Sequence, residues 1–148
     1  MKAVLLAALV FAGTPAGVNT VRSVDIPAVE RIGILEKRMK LRTPVLAAWY
    51  ILYAANTSAR SVPGATDRDF RVCLKVKPSD VSRWYDRNSI TSFPHDFSWA
   101  GDLDLPEDVL RVVRAGGGDM TYESGSGFTD ARLVFPASGI ILLRVHQR

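Results

Sequence analysis

The sequence predicts an α+β fold, a small antiparallel sheet of about three to five strands with short helices on one face, preceded by an apolar helical N-terminal region. Three stretches carry that reading. FRVCLKVK, from Phe70 to Lys77, alternates apolar and polar residues with the period of a half-buried strand. DLPEDVLRVVRAG, from Asp104 to Gly116, opens and closes with helix-terminus chemistry. Ala131 to Phe135 and Ile140 to His146 are apolar runs parted by the turn residues Pro136, Ala137, Ser138 and Gly139.

Residues 1–18, MKAVLLAALVFAGTPAGV, place Lys2 ahead of an apolar run and small residues after a Gly/Pro break, the three regions of a signal peptide. The run is too short to span a bilayer, which takes about 20 residues. In residues 19–60, Asp25 and Pro27 mark a helix start, and Val29, Ile32, Leu35 and Met39 recur at helical spacing. A second export-like stretch begins at Met39, with Lys40 and Arg42 before the apolar residues 45–55. It admits a start of translation at Met39, or a buried or membrane-associated helix over residues 43–55. Residues 61–69, SVPGATDRD, read as a linker, so the folded domain is placed at 70–148.

Within that domain the strand from Phe70 has Phe70, Val72, Leu74 and Val76 on one face and Arg71, Cys73, Lys75 and Lys77 on the other. Pro78 ends it, and Ser79 or Asp80 caps a short helix through Trp84 and Tyr85 to Arg87. An irregular aromatic loop follows to Gly101. Asp104 is the expected N-cap of the next helix, Pro106 lies in its first turn with Glu107 and Asp108, and Gly116 stops it. Met120 to Glu123 is a further strand, and Gly125-Ser126-Gly127 a turn. If the turn at 136–139 preserves register, Leu133, Phe135, Ile141, Leu143 and Val145 share a core face and Arg132, Arg144 and His146 point outward. Val134, Ile140 and Leu142 then lie on the outer face, which needs a cover: a helix, a partner or the apolar N-terminal region.

Composition narrows function by exclusion. The 148 residues are 47% apolar and 23% charged, which excludes a disordered chain. The net charge of +4 belongs to the N-terminal part, where eight Lys/Arg face three Asp/Glu through residue 60, against eleven and twelve beyond it. The domain is near neutral and has no nucleic-acid face. The single cysteine excludes an internal disulfide framework and a Cys-rich zinc site.

Cys73, between Arg71 and Lys75, is the one candidate nucleophile, because neighbouring cations stabilise a thiolate. His95 is its candidate base, with Asp96 beside it, although the spacing fixes no geometry. The glycines at 116–118, 125 and 127 lack the following helix and Lys-Ser/Thr that phosphate loops need, so no cofactor is expected, and no metal cluster is present in the sequence. Trp84, Tyr85, Phe93, Phe97 and Trp99 are candidate binding residues, since aromatics dominate interfaces when they gather at a surface; the competing use is core. The expected function is non-enzymatic binding by an exported, periplasmic or secreted protein of accessory, inhibitor or immunity type, whose partner is a protein or envelope component. Two alternatives stand beside it: a thiol-dependent hydrolase or redox protein using Cys73 with His95, and an inner-membrane protein anchored through residues 43–55.

Overall fold

The computed structural model describes residues 18–56, 66–85, 96–125 and 128–147. They form one sheet of six antiparallel strands: β1 (Val18–Arg22), β2 (Ala47–Asn56), β3 (Thr66–Lys75), β4 (Asp119–Gly125), β5 (Phe128–Phe135) and β6 (Ile140–Gln147), in the order β1-β2-β3-β6-β5-β4. The α+β class holds, and the sheet is larger than expected. Two α-helices, α1 (Ala28–Glu36) and α2 (Glu107–Ala115), and 3-10 segments at Ser23–Asp25, Pro78–Trp84 and Ser98–Leu103 complete it. The expected signal peptide, apart from its last residue, Val18, which opens β1, lies outside the described residues, as do His95, Phe93 and most of the expected linker.

The expected helix over 43–55 is replaced by β2, an interior strand paired with β1 on one side and β3 on the other. Its near-continuous apolar run, AAWYILYAA, has Ala48, Tyr50 and Leu52 buried on the first face and Trp49 and Ile51 partly covered on the second, so apolar residues on both faces erase the alternation that marks a strand. Thr66 to Asp69, assigned to the linker, are the first residues of β3. The sheet therefore spans the expected domain boundary. A chain beginning at Met39 would lack β1, α1 and the fully buried Leu35.

Helices cover both faces of the sheet, not one. On the first face Tyr50, Leu52, Phe70, Val72, Leu74, Ile141 and Leu143 pack beneath Leu35 of α1 and Val81 and Trp84 of the 3-10 segment. On the second, Cys73, Phe135, Ile140 and Leu142 pack beneath Trp99, Leu103 and Val109. The turn at 136–139 sets Phe135 opposite Ile140, so even positions of β5 share a face with odd positions of β6. The expected core set is split accordingly. Val134 joins Ile141 and Leu143, whereas Leu133 and Phe135 sit with Ile140 and Leu142. Part of the N-terminal region does cover a sheet face, but the cover over Ile140 and Leu142 is the Ser98–Leu103 segment with α2.

The same register turns Arg132 inward. Its side chain is 1% exposed on the first face, donating from Nη1 to the Trp84 carbonyl at 2.9 Å and from Nη2 to Asp130 Oδ2 at 2.6 Å. Trp84 is held from its other end, where Nε1 donates to Thr43 Oγ1 at 2.9 Å. Tyr50 is latched similarly: its hydroxyl donates to the Arg31 carbonyl at 2.8 Å, tying β2 to α1. Its backbone N–H donates to Ser23 Oγ at 2.8 Å, continuing the ladder where β1 leaves the sheet. Asp104 does not cap α2; it adopts φ 54° and closes the preceding 3-10 segment, leaving Pro106 at the helix start. Gly116, at φ 73°, ends α2 as expected.

Gly139 combines φ 73° with a close approach, since a Cβ there would lie 2.1 Å from the Val76 carbonyl oxygen. Gly139→Ala is expected to cost at least about 2 kcal/mol in a urea titration, more than Gly116→Ala, which has the same φ but open space. Arg132→Ala is expected to cost about 3–5 kcal/mol by leaving Asp130 without its buried cation. The double variant Arg132→Leu/Asp130→Leu should cost less than Arg132→Ala in the same titration.

Candidate functional site

The second face of the sheet is apolar only where the Ser98–Leu103 segment and α2 cover it. Toward the other end of β3 and β6 the residues on that face become polar, and a groove of about 650 Å³ opens, lined by residues of β1, β2, β3 and β6. Strand alternation explains its chemistry. In DRDFRVCL the even positions Phe70, Val72 and Leu74 face the first core, so Asp67, Asp69 and Arg71 fall on the groove side.

Register aligns these residues in two cross-strand rows. Arg22 of β1 pairs with Ile51 of β2, Ile51 with Arg71 of β3, and Arg71 with Arg144 of β6. The adjacent row is Thr20, Tyr53, Asp69 and His146. Like charges set directly opposite each other repel. Asp69 relieves the Arg71–Arg144 pair by accepting from both: from Arg71 Nη2 at 3.2 Å, and from Arg144 Nε at 3.1 Å and Nη2 at 3.2 Å. The Arg22 guanidinium has no partner among the described residues.

A smaller cleft of about 260 Å³ adjoins the groove through Arg71 and is bounded by Arg144, Asp96, Ser98, Asp102 and Trp99. Asp96 accepts from the Ser98 backbone N–H at 2.8 Å and from its hydroxyl at 2.9 Å, and these bonds, helped by Arg144, lower its carboxyl pKa. The Trp99 indole N–H is buried and has no acceptor among the described residues. Among the described residues no group of three His, Cys, Asp or Glu side chains is placed to hold a metal ion.

Of the residues singled out from sequence, His95 and Phe93 lie outside the described residues, and the described ones are spread over both faces of the sheet. Cys73 is wholly buried in the second core, and burial pushes its thiol from 9.0 up to about 12, so Arg71 and Lys75 on either side do not produce a reactive thiolate. The candidate nucleophile is corrected to a core residue. The candidate aromatic surface is divided by the sheet: Trp84 is 1% exposed in the first core and Trp99 7% exposed in the second. Phe97 packs its ring on Trp99 with centroids 5.9 Å apart, and the Tyr85 hydroxyl donates to Asp119 Oδ2 at 2.7 Å. The competing use of these aromatics as core describes Trp84 and Trp99. Arg22, Asp69 and Arg144 were not among the expected site residues. Their signal was a change from apolar to charged at alternate positions near strand ends, which resembles an ordinary solvent-facing edge.

No helix of the described residues is long and apolar enough to cross a membrane, and the proposed anchor at 43–55 is largely the paired strand β2. Comparison of the chain with protein families, curated proteins and solved structures finds no match.

Burial also raises the Tyr50 hydroxyl from 10.0 to about 12, against the opposing pull of Arg31 and Arg38. In the unfolded chain Cys73 and Tyr50 release their protons at lower pH than in the folded chain, so folding holds the protons. The contribution of these two groups is therefore expected to be level below pH 9.0 and to fall between 9.0 and about 12. Urea midpoints across that range measure it, and Cys73→Ala should flatten the first part of the decline. In folded protein a thiol-reactive dye should label Cys73 at the rate of global opening, at least about a hundredfold slower than in urea.

Proposed function

We propose that the protein is a small non-enzymatic binding protein, exported to the cell envelope or beyond it, that holds its partner against the polar half of the second sheet face. The observation that carries this reading is the contrast within one face. Beneath the Ser98–Leu103 segment and α2 the strands present Cys73, Ile140 and Leu142; at and beyond the edge of that cover they present Arg22, Tyr53, Asp67, Asp69 and Arg71 around an open groove, with Arg144 in the adjoining cleft. A sheet face that were merely exposed would favour charges of alternating sign in register, and this one instead aligns three arginines. Burial of Cys73 removes the feature on which a thiol enzyme would rest. Export is supported by the signal-like residues 1–18.

Affinity capture from envelope extract, with the tagged chain and with Arg71→Ala and Tyr53→Ala, tests the binding reading. A genuine partner should be recovered at least about tenfold less with either groove variant, and undiminished with Arg111→Ala on the exposed side of α2. Equal recovery by all three variants would sink it. Finding the intact chain, Met1 included, only in the cytosol would remove the export half of the proposal.

A further inference from the structure

We propose that the groove and the cleft beside it bind a neutral oligosaccharide, with one ring stacked on Tyr53 and the hydroxyls of another held in the cleft by Asp102, Arg144 and the Trp99 indole N–H. This rests on the reading of the groove as the binding site and names the chemistry of its ligand. Charge sets the first limit. Arg22, Arg68 and Arg71 line the groove together with Asp67 and Asp69, and the cleft adds Arg144, Asp96 and Asp102. Four guanidiniums thus stand among four carboxylates, so the lining exerts no net pull on an ion of either sign. What it offers instead is donors and acceptors side by side.

A hydroxyl both donates and accepts, so adjacent hydroxyls of a sugar meet a carboxylate and a guanidinium at once. Asp69 takes one nitrogen of Arg71 and two of Arg144, which orients both planar forks and leaves donors on each. Asp102 is exposed beside them. Trp99 also lines the cleft, and its buried indole N–H, without an acceptor among the described residues, is a donor that a ligand hydroxyl satisfies. An extended peptide fits less well, because the floor is a sheet face. The backbones of β2, β3 and β6 are already paired on both sides and leave a main chain no edge to join. Tyr53, 36% exposed on β2, supplies a ring face for the C–H side of a sugar. Tyr53 and Arg144 stand two strands apart, about 10 Å across the ladder, a distance that linked rings span and a single ring does not.

Titration of the full chain by isothermal calorimetry and amide NMR tests this. The neutral probes are maltotriose, cellotriose and tri-N-acetylchitotriose, each beside its monosaccharide; the charged ones are trigalacturonate and the deacetylated chitotriose. At least one neutral trisaccharide should bind saturably, and at least about tenfold tighter than its monosaccharide and than either charged trimer. Its affinity should fall at least about tenfold in Asp102→Ala, which removes a charged acceptor, and at least about threefold in Tyr53→Ala and in Trp99→Phe, which lacks the N–H. Glu36→Ala, exposed on α1 over the opposite face, should change it less than about twofold. No saturation by any neutral trisaccharide, a charged trimer binding as tightly, or equal losses in Glu36→Ala and Asp102→Ala overturns the proposal. Should every sugar fail while capture from extract still depends on Arg71 and Tyr53, the groove remains the binding site and only its assigned ligand falls.

Discussion

A guanidinium buried in an apolar core costs several kcal/mol to desolvate, so the structure around Arg132 has to be built to meet it. Its partners come from separate parts of the chain: the Trp84 carbonyl at the end of a 3-10 segment, and Asp130 two residues earlier on the same strand. Glu123 of the edge strand β4 lies within 4.0 Å. Trp84 in turn carries the connection onward through its indole to Thr43, in the segment that leads from α1 to β2. The cover of the first face is therefore tied to strands at both ends of the sheet. Hydrophobic burial supplies most of the stabilisation, but it is non-directional. The polar chain from Thr43 through Trp84 to Arg132 is what specifies where the cover sits.

Sequence reasoning reached the elements whose pattern is local. α1 and α2, the β3 core, β5, β6 and their turn were legible because caps, alternation and turn residues are read within a dozen positions. β2 was not, since a strand with apolar residues on both faces gives the same apolar run as a short buried helix, and two basic residues before it completed the likeness to an export signal. The orientation of Arg132 was lost for a different reason. A four-residue turn shifts the pairing parity by one relative to the odd-length loop that the expected register implied, and that single step exchanges every residue of β5 between faces.

The site was less legible than the fold, because it is assembled by register across four strands distant in sequence. Arg22, Ile51, Arg71 and Arg144 share no motif and no spacing; antiparallel pairing alone makes them neighbours. By contrast, the residues with the strongest chemical identity in the sequence, Cys73 and the tryptophans, are consumed by the two cores. A lone thiol on a strand and a cluster of aromatics near a loop are also what a small domain needs to fill space, and in this chain the packing use won.

The strand order has a bearing on how the chain acquires its structure. β6, the final described element, lies in the interior of the sheet between β3 and β5, so Phe70 waits for Val145 and Cys73 for Leu142. Neither core can close before those residues are made, because each contains side chains of β6. Without β6 the sheet falls into two unjoined pieces, the ribbon β1-β2-β3 and the hairpin β4-β5, and long-range closure of the kind that joins them is slow. Removing β6 therefore takes away the strand that joins β3 to β5 and side chains of both cores at once, so a change there reaches both faces of the sheet.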